Sequence, residues 1–231
     1  MMNYEMLKKA EQIANRLKNE KNKIKIITHI DADGICAGSI ASYSLEDAGV
    51  EYEIEFVKQL DDTVIERIKD ENCTVWFTDL GSGVIDKIKC LEPVITDHHE
   101  ILSNEKTEYH LNPHIYGLNG AVEISGAGVT YLVSRSMNPE NIKTSTLAIV
   151  GAVGDLQDAQ YCKLVGLNRE ILDECIRAGM ISKTMDIRFF GRETRPVYKL
   201  LQYADDPLIP GITGNEQSSI NFLQEHGIRF K

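Results

Sequence analysis

Short apolar runs alternate with charged, helix-spaced stretches along the chain, most regularly through its first hundred residues. KIKIIT (23–28), CTVWFT (73–78) and PVIT (93–96) are β-branched and free of charge near their ends, the pattern of buried parallel strands. EYEIEF (51–56) alternates polar and apolar residues, which predicts a half-exposed strand nearer a sheet edge. TEYHL (107–111) predicts one more strand before the Asn112-Pro113 break. Helical spacing fills the gaps at 3–20, 34–48, 61–70 and just after Gly83. The first of these helices places Tyr4, Leu7, Ile13, Ala14 and Leu17 on its apolar side. The second carries Ala37, Gly38, Ser39 and Ala41, small enough for close packing on a sheet, and Gly49 ends it.

The fold class that follows is α/β: a doubly wound, mostly parallel five-stranded sheet flanked by helices, with right-handed crossovers. A mainly helical second half is expected, with helices near 125–136, 142–153, 165–178, 196–203 and 216–226. ADDPLIPGITGNE is rich in Pro and Gly and reads as a linker or extended arm. The expected organisation is one domain over 1–205, then a linker-like segment and short helix over 206–231.

Composition adds limits. At 231 residues, 42% hydrophobic and 26% charged, the chain is an ordinary globular protein able to bury a real core. No run approaches the roughly 18 apolar residues of a membrane span. The five cysteines are odd in number and lack a C-x-x-C pair, so neither a disulfide framework nor a zinc ribbon is expected, and a reduced, cytoplasmic setting is. The net charge of −10 weighs against nucleic acid only until its distribution is considered. Residues 183–199 are locally basic, with Arg188, Arg192 and Arg195 among five basic residues facing two acidic ones.

The ends of the apolar runs carry the chemistry. HIDADG (29–34) follows the first, Asp79 the second, Asp97-His98-His99 the third, and Asp155 follows LAIVGAVG. Ligands in open α/β sheets bind outside the carboxyl ends of the strands, so four segments can converge on one crevice. His29, Asp31, Asp33, Asp79, His98 and Asp155 all offer oxygen or imidazole ligands, a set suited to manganese or magnesium. Of two adjacent histidines, one can bind metal while the other faces a substrate, and Asp97 supplies the carboxylate partner that ligating histidines need. HIDADG is not an EF-hand loop, and Gly81-Ser82-Gly83 does not complete a dinucleotide fingerprint.

In this order and spacing the four motifs resemble the DHH phosphoesterase superfamily, specifically its RecJ-like single-strand exonuclease branch of archaeal type. The resemblance covers roughly residues 20–205, the catalytic domain, without the second domain in which such enzymes usually continue. It implies a five-stranded parallel sheet and a dinuclear manganese centre, with magnesium the alternative. On that resemblance His29 and Asp31 hold one metal, Asp33, His98 and Asp155 the other, and Asp79 bridges both. His99 then faces the scissile phosphate as a catalytic residue, and Asp97 orients its neighbours. The expected reaction is metal-assisted phosphodiester hydrolysis on single-stranded DNA or RNA, with Arg188, Arg192 and Arg195 as substrate contacts and replication or repair proteins as partners. Two other readings stand beside it: a small-substrate phosphoesterase cleaving short oligonucleotides, cyclic dinucleotides or phosphoanhydrides, and a replication-associated scaffold.

Overall fold

The apolar runs fold as β1 (Ile24–His29), β3 (Thr74–Thr78) and β4 (Val94–Thr96), joined by β2 (Tyr52–Val57) and β5 (Tyr109–Leu111). The computed structural model describes residues 4–69, 73–184, 189, 191–205 and 207–229. All strand pairs are parallel, in the order β2-β1-β3-β4-β5. The alternating strand β2 takes an edge of the sheet, where Val57 alone of its six residues is buried.

Period-two alternation sorts the inner strands between two cores. Ile24, Ile26, Trp76 and Val94 face one layer, which includes α1 (Tyr4–Lys18), α2 (Ala32–Asp47) and α5 (Gly126–Met137). Ile27, Val75, Phe77 and Ile95 face the other, with α3 (Asp62–Lys69) and α4 (Ile85–Ile88). Helices on both faces of a parallel sheet make the doubly wound architecture that the pattern predicts. The helical half continues with α6 (Ser145–Gly154), packed on α2 and α5, and α7 (Gly166–Arg177), packed on α6.

Two boundaries differ from expectation for local reasons. The second helix starts at Ala32 rather than 34, because Asp31 is extended and its carboxylate caps Gly34 N–H at 2.8 Å. Asp33 is therefore a helical residue. The helix expected from 142 is preceded by a 3-10 turn over Pro139–Thr144, initiated by Pro139 and by Asn138 capping Glu140.

The chain divides into two compact units, Met1–Ser182 and Lys183–Lys231, whereas the sequence pattern places a boundary at 205. The second unit contains α8 (Val197–Gln202) and α9 (Glu216–Glu225). The Pro/Gly-rich stretch between them is a series of turns: Gly214 N–H donates to the Gln202 carbonyl at 2.8 Å and Ile209 N–H to Thr213 Oγ1 at 2.9 Å. Among the described residues, no helix is long and apolar enough to cross a membrane.

Candidate metal centre

From β1 the chain moves outward to β2 on one side and then returns to β3 on the other. That reversal opens a crevice beyond the carboxyl ends of β1 and β3. His29 is the last residue of β1, Asp79 follows β3, and Asp97, His98 and His99 follow β4. Asp79 takes φ +60, a left-handed backbone that non-glycine residues seldom adopt, and its N–H donates to the Thr96 carbonyl at 2.8 Å.

The helical half supplies the opposite wall. The buried Asp33 carboxylate accepts N–H bonds from Gly126 at 2.6 Å and Ala127 at 3.0 Å, the first residues of α5. A helix N-terminus offers such unpaired donors and a favourable dipole. Asp155 caps the end of α6.

Both candidate histidines have one nitrogen committed to backbone. His98 Nδ1–H donates to the Gly120 carbonyl at 2.8 Å, leaving Nε2 to face Asp79 Oδ1 at 3.2 Å, Asp33 Oδ2 at 3.7 Å and Asp155 Oδ2 at 3.8 Å. His29 Nε2–H donates to the Lys58 carbonyl at 3.1 Å, and Nδ1 faces Asp31 Oδ2 at 2.8 Å and Asp79 Oδ2 at 3.8 Å. A metal-ligating histidine is usually fixed in this way. Three overlapping groups could hold metal ions: His29, Asp31 and Asp79; Asp33, His98 and Asp155; and Asp79, His98 and His99, each with ligand atoms within 4.8 Å of one another. All six residues singled out as ligands therefore meet in one place.

Electrostatics tests whether cations fit. Both Asp79 oxygens and His29 Nδ1 are buried without a hydrogen-bond donor. The 3.2 Å approach of His98 Nε2 to Asp79 is no hydrogen bond while that nitrogen is unprotonated, since two lone pairs then face each other. Burial, and then the nearby Asp33 carboxylate, raise the Asp79 carboxyl well above its ordinary range. Burial opposes a charged His98, yet Asp79 and the surrounding carboxylates push its pKa up to about 10. The cluster thus demands positive charge, which either a proton on His98 Nε2 or divalent ions on these oxygen and imidazole donors would satisfy. There is no slack for a side chain: a Cβ on Gly151 would lie 2.4 Å from Asp33 Oδ1.

Asp97 turns away from this cluster. Its Oδ1 accepts from His98 N–H at 2.8 Å, His99 N–H at 3.2 Å and His99 Nδ1–H at 2.8 Å, and Oδ2 accepts from Ser82 N–H at 2.9 Å. Burial alone would raise this carboxyl, but the bonds from His99 and Ser82 hold it well below the usual range. The same bond to Asp97 raises the proton affinity of His99, which is half exposed. His99 and His29 border a pocket of about 300 Å³ that also reaches Asp79 and Leu60.

Sequence reasoning passes over four buried polar residues that hold this arrangement. Gln157 donates to Asp155 Oδ2 at 2.9 Å and to the Gly120 carbonyl at 2.8 Å. Asn112 donates to Ser82 Oγ at 2.8 Å and to the His99 carbonyl at 2.9 Å, while His110 Nε2 lies 2.9 Å from Ser82 Oγ. Only a polar residue inside an apolar strand, His110 in β5, could have drawn attention beforehand. Of the basic residues, Arg192 pairs with Glu193 at 3.0 Å and Arg195 lies over the Tyr203 ring at 5.4 Å, both in the second unit. Arg188 lies outside the described residues.

A doubly wound parallel sheet with a histidine–carboxylate cluster at its switch point defines the class. The DHH family, N-terminal domain, matches residues 23–153, and the DHH-CID domain matches residues 189–231. The chain belongs to the DHH family. An uncharacterized protein of Methanocaldococcus jannaschii is 34% identical over 97% of this chain and 54% of its own length, so the chain spans about half of that relative. Among solved structures, exonuclease RecJ bound to manganese has a TM-score of 0.61 at 16% identity, covering 92% of this chain and 54% of RecJ. CDC45 from Entamoeba histolytica has a TM-score of 0.65 at 16% identity, covering 96% of this chain and 51% of CDC45. The fold is RecJ-like.

Proposed function

We propose that the chain is a two-metal phosphodiester hydrolase, a RecJ-like exonuclease that releases nucleotides from single-stranded DNA or RNA. The observation that carries this reading is Asp79, a buried carboxylate standing between His29–Asp31 on one side and Asp33–His98–Asp155 on the other. In this reading His29 and Asp31 would hold one ion and Asp33, His98 and Asp155 the second, with Asp79 available to both. Manganese is the first choice, as in the manganese-bound RecJ structure, with magnesium the alternative. Such ions would supply Lewis-acid charge to the attacking and leaving oxygens of an in-line displacement at phosphorus.

The chain's own residues supply orientation and a proton. Asp97 fixes His99 through Nδ1–H, so Nε2 is the nitrogen left to meet substrate. With Nδ1–H held by Asp97, a protonated His99 would offer Nε2–H to charge developing on the phosphate. Arg188, Arg192 and Arg195 contact strand phosphates in this reading, and replication or repair proteins are its protein partners, in a cytoplasmic setting. A scaffold role is disfavoured, because no ligand position has been lost.

A small-substrate phosphoesterase is the second reading. It is favoured by the engagement of Arg192 with Glu193 and of Arg195 with Tyr203, and by the modest pocket beside His99. Labelled single-stranded DNA, RNA and a dinucleotide, digested side by side with manganese, magnesium or a chelator, separate the readings. Stepwise metal-dependent shortening of a strand supports the exonuclease, dinucleotide cleavage alone supports the second reading, and no cleavage of any substrate defeats both.

A further inference from the structure

We propose that His110 is a positioning residue that acts on His99 through Ser82 and Asp97. Its rate readout rests on the proposed hydrolase function. The chain of contacts is continuous: His110 Nε2 is 2.9 Å from Ser82 Oγ, Ser82 N–H donates to Asp97 Oδ2 at 2.9 Å, and Asp97 Oδ1 accepts His99 Nδ1–H at 2.8 Å. Ser82, Asp97 and His110 are all buried.

The direction of each bond can be read from donor and acceptor inventory. Asn112 Oδ1 accepts from His114 N–H at 3.0 Å, so the other end of that amide is its NH2 group. Asn112 therefore donates to Ser82 Oγ, and the serine's own proton needs an acceptor. Among the described residues, His110 Nε2 is the acceptor within reach. This requires a neutral His110 with its proton on Nδ1, the tautomer less favoured by free histidine. Burial supports neutrality, pushing the imidazolium of His110 down to about 4. Held from both sides, Ser82 keeps its backbone N–H on Asp97, and Asp97 keeps His99 in one orientation.

Nitrogen-15 NMR of histidine-labelled protein at neutral pH tests the tautomer directly. We expect His110 protonated at Nδ1, and a proton on Nε2 overturns the proposal. Ser82→Ala and His110→Phe are then compared with His110→Gln, which keeps a side-chain acceptor. The first two should lose the fixed Nδ1–H signature of His99 and lower kcat on the order of 10–100-fold, with KM, manganese content and melting behaviour close to wild type. The double variant should be no slower than either single one, because both act on one chain of bonds, and His110→Gln should recover most of the rate. An unchanged His99 signature, additive losses, or a parallel loss of bound manganese overturns the proposal. If the wild-type chain hydrolyses no phosphodiester, the proposed function fails, and the His99 signature in the variants still decides this inference.

Discussion

A Cβ on Gly126 would stand 2.2 Å from Asp79 Oδ1, the oxygen that faces His98. Helix α5 begins at this glycine, and its first N–H already holds Asp33. Gly126→Ala must push Asp79 or the helix away, disturbing both candidate ion positions together. Manganese affinity measured by calorimetry should fall at least about tenfold, within the range for perturbed ligand support. An alanine variant that binds as wild type would refute the close packing of α5 on the centre.

Asp79→Ala tests the shared carboxylate. Metal content by elemental analysis should drop and hydrolysis should fall by orders of magnitude. The metal-free protein should melt no lower than wild type in chelator, because a carboxylate buried among other carboxylates is costly to keep. A strong stability loss in chelator would mean that Asp79 is structural.

His98 and His99 should separate cleanly. His98→Ala removes the nitrogen aimed at three carboxylates and should weaken metal binding. His99→Ala should leave the metals bound and slow turnover about 10²-fold, the loss seen for one preorganised donor. Equal loss of metal in both variants would contradict the division of roles.

A pH prediction lies away from the centre. Burial raises the Glu20 carboxyl, but hydrogen bonds from Thr74, Asn22, Arg16 and Lys21 lower it to about 2. A lowered carboxyl adds stability above its unfolded pKa and loses it as pH falls through the folded one. Stability should therefore decline from the ordinary carboxylate range down toward about pH 2, by less than about 1 kcal/mol given surface screening. Glu20→Gln should remove that part of the pH dependence in denaturant titrations.

Arg192 and Arg195 decide between a strand and a small substrate. If both contact phosphates, replacing them with Ala should reduce the salt slope of single-strand binding by about 0.7 per contact, while dinucleotide hydrolysis persists. An unchanged slope would assign them to their neighbours Glu193 and Tyr203.

Much of this was legible in the sequence because it is local. β-branched runs end at the residues that form the crevice, and a strand's carboxyl end fixes where the next side chain stands. Ile24–His29 and Thr74–Thr78 thus announce both the sheet and the placement of His29 and Asp79. The supports were not legible because they are bonds through space. Nothing local to Ser82 shows that it meets Asp97, His110 and Asn112, and nothing near Gln157 shows its bond to the Gly120 carbonyl. The helical state of Asp33 was hidden for a related reason. HIDADG reads as a loop until Asp31 is seen to cap the turn that contains Asp33.

The bond from Asp33 to the start of α5 spans 93 residues. Contacts of such long sequence separation form late, since a large loop must close before they contribute. His29, Asp31 and Asp79 belong to the sheet-forming half and Asp155 to the helical half, so the full set of candidate donors exists only once the two halves have packed. The candidate centre is therefore assembled by the closing of the fold, and an incompletely closed chain offers only a partial set of donors. On the proposed two-metal reading, metal loading would be a readout of completed folding, and a chain truncated before α6 should bind manganese weakly even with its sheet in place.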